Sequence, residues 1–159
     1  MPASNPPLRQ MSVILRPPMK LSRGKLRIVT AFEPELMAMC ADMGVGLVPY
    51  SPNGKGRLAR PWGEQSDRSS TDKVVQAFDS PLDEPVVNAV QHVAEQRGIT
   101  MAQVALAWVL RNPGVSAPIV GATKPHHLPQ TAAALDINLT DDEARTLEEP
   151  YVQQGPSWY

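Results

Sequence analysis

Apolar positions along the chain follow two spacings. Val86, Val87, Val90, Val93 and Ala94 recur at helical intervals and stop at Gly98, which predicts an amphipathic helix over Pro85–Arg97. Thr100 and Gln103 make the first and fourth positions of a capping box. The helix it opens carries Val104, Ala105, Leu106, Trp108, Val109 and Leu110, apolar on nearly every side and so expected to be deeply packed, and Asn112-Pro113-Gly114 ends it. Glu33–Met43 reads as a helix with Pro34 in its first turn, Leu36, Met37 and Cys40 on one face, and Gly44 placed to end it left-handed. A second capping box, Thr140 with Glu143, opens a last helix that ends at Pro150. A short helix with Val74, Val75 and Phe78 inward is expected after a cap at Ser70 or Thr71. Two apolar runs lack helical spacing. Val45–Ser51, VGLVPYS, is nearly continuous, as in a parallel strand buried on both faces. Ala117–Val120 is a second strand, followed by Gly121, a polar turn, and a helix opened by Pro125 and running to Leu135.

Strands alternating with helices indicate a parallel α/β arrangement. Two convincing strands cannot close a barrel or make a covered sheet of normal size. The stretch before them is different. Residues 1–30 are rich in proline and basic side chains, with Arg9, Arg16, Lys20, Arg23, Lys25 and Arg27, and only Met11–Leu15 and Leu26–Val29 are strand-like. That stretch reads as an irregular tail or as a basic arm for a partner, and 31–159 as the folded unit.

The net charge of −1 gives no electrostatic footprint for nucleic acid or an anionic membrane. The single cysteine, Cys40, excludes an internal disulfide and fits a reducing compartment, where it serves as a small core residue. No apolar run approaches the roughly 20 residues of a membrane span, and no signal peptide is visible. The expectation is a soluble, cytoplasmic protein.

The candidate chemistry lies at the strand ends. In APIVGATKPHHL, a strand, a glycine and a helix start would aim backbone N–H groups at an anion, with Lys124, His126 and His127 nearby. A surface loop with incidental basic residues remains the other reading. After the first strand, Asn53-Gly54-Lys55-Gly56 is a loop where backbone could approach a ligand. Arg57–Ser70, with Arg57, Arg60, Trp62 and Arg68, is long enough to act as a lid or binding loop. His92 has no second ligand at metal spacing, so no metal site is expected. Trp158 and Tyr159 could cover a pocket mouth or form a frayed end.

Three stretches together carry a family likeness. Val48-Pro49-Tyr50-Ser51-Pro52 with Gly54, Gly56 and Leu58, then Ile99–Pro113, then Pro118–Leu128 resemble the C-terminal half of an aldo-keto reductase from about Ala31 onward. The resemblance implies a partial TIM-type (β/α)8 barrel, about the last two βα units plus the C-terminal helix, and NADP(H) as cofactor. In such barrels phosphates bind at the loops after strands seven and eight. By resemblance, Tyr50 lies near the nicotinamide. Ser51, Pro52, Asn53 and Gly54 line the pyrophosphate, and Arg68 reaches the cofactor from its loop. Gly121 allows close backbone approach, Thr123 and Lys124 hold the 2′-phosphate, and His127, Gln130 and Thr131 face the adenosine.

Two positions depart from the family pattern. Asn53 stands where leucine is usual, and Thr131 where asparagine is usual. The family's catalytic Asp, Tyr, Lys and His come from the first half of the barrel, and no such set is recognisable here. Met1–Arg27 does not resemble that half, nor clearly its sixth strand. The implied function is NADPH-dependent carbonyl reduction, with this chain, read as a truncated family member, keeping the cofactor side and inactive alone. The alternative is a non-enzymatic NADP-binding or partner-binding half-barrel, which could self-associate or complement a separate half.

Overall fold

A computed structural model describes residues 12–13, 34–64, 81–122 and 124–151. The expected helix near Val74 and the Trp158-Tyr159 tail lie outside the described residues.

The elements are β1 (Ser12–Val13), α1 (Pro34–Asp42), β2 (Gly46–Leu47), a 3-10 segment Gly54–Ala59, a 3-10 turn Pro81–Asp83, α2 (Glu84–Arg97), α3 (Met101–Leu110), α4 (His127–Ala133) and α5 (Asp141–Glu148). Both capping boxes form. The Thr100 side chain accepts from Gln103 N–H while the Gln103 side chain accepts from Thr100 N–H, and Thr140 and Glu143 repeat the exchange. The α2 helix ends where Gly98, at φ 64°, takes the left-handed region that a side chain would strain. Gly44, at φ 65°, follows α1 in the same way.

The core is the seam of α2 and α3. Val87, Val90, Val93 and Ala94 of α2 meet Met101, Val104, Ala105 and Ala107 of α3, with Leu58, Leu139 and Leu147 closing the sides. The all-round apolar character of α3 is used as expected: six of its ten residues are buried. Trp108 is half-buried and donates its indole N–H to Glu148 at 2.9 Å. Cys40 is a buried, free thiol, in keeping with a core role. His92 is exposed and bonds Gln96 one turn on, and no metal-binding cluster occurs among the described residues. No helix among them is long and apolar enough to cross a membrane.

The strands are parallel, as expected, but much shorter. Within Val45–Ser51 only Gly46–Leu47 is regular strand, and Tyr50 makes a single bridge. Ala117–Val120 is not a regular strand; its part is taken by single parallel bridges, Leu47 to Val115 and Tyr50 to Ile119. Pro49, Pro52 and Pro118 lack the N–H that a longer ladder needs. Nor is the first run buried on both faces: Leu47 and Pro49 are buried, whereas Tyr50 is 58% exposed.

The strand-like Met11–Leu15 does contribute. Ser12 and Val13 pair in parallel with Gly46 and Leu47. Leu47 donates to Gly114 O and accepts from Ser116 N–H, both at 2.8 Å, so its other edge faces β1 and the order is β1, β2, 115–119.

Two more expectations are corrected. The expected helix Pro125–Leu135 starts two residues late, because residues 124–127 form a turn in which Lys124 O accepts from His127 N–H at 3.0 Å. Pro125 lies in that turn, and the end tightens into 3-10 at Ala134–Asp136. The loop expected over Arg57–Ser70 is structured where it begins, since Leu58 is only 6% exposed and belongs to the core.

Candidate functional site

Two sequence-distant motifs meet at the strand ends. Pro49 O accepts from Ile119 N–H at 2.7 Å, and Tyr50 bridges Ile119 in parallel. Because the pairing is parallel, the residues after both strands, Ser51–Gly54 and Val120–Gly121, leave from the same end of the sheet. Sequence separation alone does not reveal this juxtaposition.

The loop after Tyr50 is held in an unusual path. Ser51, at φ 54°, and Lys55, at φ 57°, sit in the left-handed region without being glycine. Ser51 O accepts from Gly54 N–H at 2.9 Å, and Asn53 O accepts from Gly56 N–H at 2.8 Å and Leu58 N–H at 3.2 Å. Pro52 is buried, and Ser51, Asn53 and Gly54 are half-buried. The Asn53 side-chain oxygen is buried with no hydrogen-bond partner. A buried polar atom in that state costs about 1–3 kcal/mol, so an acceptor there suits a donor brought by a ligand.

On the second strand end, Gly121 is exposed, and a Cβ added there would meet nothing within 4 Å. Lys124 is exposed, and His126 and His127 stack edge to face with ring centres 4.6 Å apart. Gln130 is exposed and Thr131 half-buried on α4, which α3 anchors: Gln103 Nε2 donates to Gln130 O at 3.1 Å. Arg68 and Thr123, also expected in the site, lie outside the described residues.

Sequence reasoning missed the charged residues Arg57 and Asp83 as partly or wholly buried groups. Asp83 is 5% exposed, the buried charged residue among those described. It precedes α2 in the N-cap place, yet its side chain makes no capping bond. The Arg57 guanidinium lies 4.8 Å from the centre of the Trp62 ring. Burial lowers the Arg57 pKa, the charge of Asp83 opposes that, and nearby Arg60 adds to it. The only signal in the sequence was an Asp two residues before a proline, which reads as an ordinary helix cap.

Strands meeting in parallel with a glycine-bearing loop beyond each one are the arrangement at which α/β enzymes commonly bind ligands. The chain belongs to the aldo/keto reductase family, whose model matches residues 3–151. It is thus placed in a family of oxidoreductases built on a (β/α)8 barrel. The match takes in β1 and begins well before residue 31, where the resemblance in the sequence began, because prolines there obscure any periodicity.

The chain is similar to versiconal hemiacetal acetate reductase of Aspergillus parasiticus, with 41% identity over 77% of this chain and 37% of that one. It is also similar to norsolorinic acid reductase B of the same species, with 35% identity over 75% and 32%. Among solved structures it resembles a thermostable aldo-keto reductase in complex with the inhibitor epalrestat, at TM-score 0.53 and 25% identity, over 77% of this chain and 36% of that one. The chain therefore spans about a third of the length of the relatives it matches.

Proposed function

We propose that these residues form the cofactor-holding side of an aldo-keto reductase barrel, about its last two βα units plus the C-terminal helix, and that the cofactor is NADPH. The observation that carries this reading is the Pro49–Ile119 hydrogen bond with the Tyr50–Ile119 bridge, which brings both cofactor-type loops to one sheet end. The unsatisfied Asn53 oxygen fits it, as an acceptor for a cofactor hydroxyl.

In this reading Ser51, Pro52, Asn53 and Gly54 line the pyrophosphate, with Tyr50 toward the nicotinamide and Arg68 reaching in from its loop. Gly121 leaves room for close approach. Thr123 and Lys124 bind the 2′-phosphate, and His127, Gln130 and Thr131 face the adenosine. When bound, NADPH supplies the hydride for a carbonyl carbon. The general acid is a tyrosine from another part of the barrel, a role Tyr50 does not take because it sits on the strand that leads into the cofactor loop. The chain by itself is accordingly expected to give no NADPH-dependent reduction of a common aldehyde, and measurable turnover would overturn that assignment. A soluble, cytoplasmic location belongs to the same reading.

The site is tested by titrating the fluorescence of NADPH with wild type and Lys124→Ala. Loss of one charge-assisted phosphate contact, worth about 1.5–3 kcal/mol, weakens binding about 10-fold or more. Equal affinity of the two proteins removes Lys124 from the site, and no binding by either refutes the site for the chain alone.

One observation favours a second reading, a partner-binding half-barrel. Tyr50 and Ile119, paired side by side, are 58% and 50% exposed. Among the described residues, no strand pairs with the far edge of 115–119.

A further inference from the structure

We infer that Met39 and Met43, at the end of α1, are a paired methionine-oxidation site: a peroxide turns this exposed apolar face polar, and a sulfoxide-reducing enzyme turns it back. The inference does not rest on the cofactor reading above.

The described methionines, Met37, Met39, Met43 and Met101, stand in different surroundings. Met101 is 8% exposed, inside the seam of α2 and α3. Met37 is half-buried, and its Sδ accepts from Asn112 Nδ2 at 4.0 Å. Met39 and Met43 are 51% and 66% exposed, so neither fills a gap in the core, the usual structural use of methionine. They share one face. Met43 N–H donates to Met39 O at 3.0 Å, so the helical turn runs on past Asp42, and residues one turn apart are neighbours on a helix surface. Cys40, between them in sequence, is 7% exposed. The thiol is therefore sheltered while the two thioethers are open to solvent.

A thioether has no proton to lose, so access decides which methionine reacts. The sulfur lone pair attacks one peroxide oxygen, and the S–O bond forms as the O–O bond breaks. Sulfur is oxidised to the sulfoxide, the peroxide is reduced, and the departing hydroxide takes up a proton as water. In the reverse step the sulfoxide oxygen leaves as water while a dithiol is oxidised to a disulfide. With a single cysteine in the chain, that dithiol comes from the reducing enzyme. Two sulfoxides one turn apart put polar acceptors where two apolar side chains were exposed, outside the α2–α3 core.

The test treats the full chain with dilute hydrogen peroxide and follows each sulfur by fragment-ion mass spectrometry. Met39 and Met43 should gain oxygen about 10-fold faster than Met101 or more, with Met37 between them and Cys40 unmodified meanwhile. A Met101 that reacts as fast, or a Cys40 that reacts first, overturns the site. Methionine sulfoxide reductases of both epimer specificities, given a dithiol, should then remove the oxygen, and sulfoxides that persist overturn the reversal. A dye sensitive to apolar surface reads the change of face. Peroxide should lower its binding to wild type but not to Met39→Leu/Met43→Leu, a volume-conserving pair without sulfur. Equal loss in both proteins overturns the polarity change. So does a loss of helical circular dichroism in oxidised wild type, which would trace the effect to unfolding.

Discussion

Two glycines at the two strands have opposite steric surroundings, and the difference separates folding from binding. A Cβ on Gly46 would lie 1.9 Å from Ser116 Oγ and 3.1 Å from Ser116 Cβ, so β2 and the 115–119 segment pack through the absence of a side chain. Gly46→Ala should therefore cost about 1–3 kcal/mol, read as a lower denaturant midpoint, and Ser116→Gly in the same chain should recover most of it. Rotation of the serine hydroxyl alone does not relieve the Cβ contact. Gly121 has open space around it, so Gly121→Ala should leave the midpoint within about 0.5 kcal/mol of wild type. If NADPH lies against that backbone, the same variant binds it more weakly. Undiminished binding would take Gly121 out of the site. These roles were unequally legible. A glycine after an apolar run marks a candidate approach point, but Gly46 inside VGLVPYS carries no mark of its contact with a serine 70 positions on. Asp83 was hidden for a related reason. Its neighbours in sequence suggest a cap, and nothing in them marks its burial at 5% exposure without a capping bond.

Among the elements, the helices were legible and the strands less so. Helical spacing and caps are local, which is why α2, α3 and α5 form close to where the pattern puts them. Strand length depends on neighbours and on proline placement, so Val45–Ser51 and Ala117–Val120 reduce to a two-residue strand and single bridges. The α5 cap also joins elements. Arg97, in the last turn of α2, donates from Nε and Nη2 to the Glu143 carboxylate, with Nη2 at 2.7 Å, and from Nη2 to Asn138 O at 2.9 Å. The hydrogen bonds from Arg97 are the main cause of a lowered Glu143 pKa; partial burial opposes them and those of Thr140 assist. A carboxyl whose folded value lies below its unfolded one stabilises fully above the unfolded value, about 4.3, and that stability is lost as pH falls from there through the folded value. Thermal midpoints should thus drop on acidification below that point, and Glu143→Gln should lower the midpoint at neutral pH and flatten its fall. A variant with the same acid profile as wild type would show that this pair does not link α2 to α5.

At the level of the whole molecule, the helices share a packed core, while the 115–119 edge of the sheet has no partner strand among the described residues. The α2–α3 seam buries Val87, Val90, Val93, Val104 and Ala107, yet Tyr50, Ile119, Met39, Met43, Leu128 and Leu135 are all at least half exposed. Parallel sheets in α/β proteins are normally covered on both faces, and an uncovered edge with apolar neighbours is a template for pairing. The chain spans about a third of its relatives' length, and in the barrel reading the remaining strands would cover this edge. Without them, another copy of the chain is the nearest substitute. Light scattering should then show association that grows with concentration, together with binding of a dye sensitive to exposed apolar surface. Ile119→Thr is the discriminating variant, since it keeps the backbone bond to Pro49 O and the β-branched shape but reduces apolar surface at the open edge. It should lower both signals while leaving the helical circular dichroism unchanged. A wild-type chain that stays monomeric at every concentration and binds no dye would refute the open-edge account, and with it the partner-binding reading of this face.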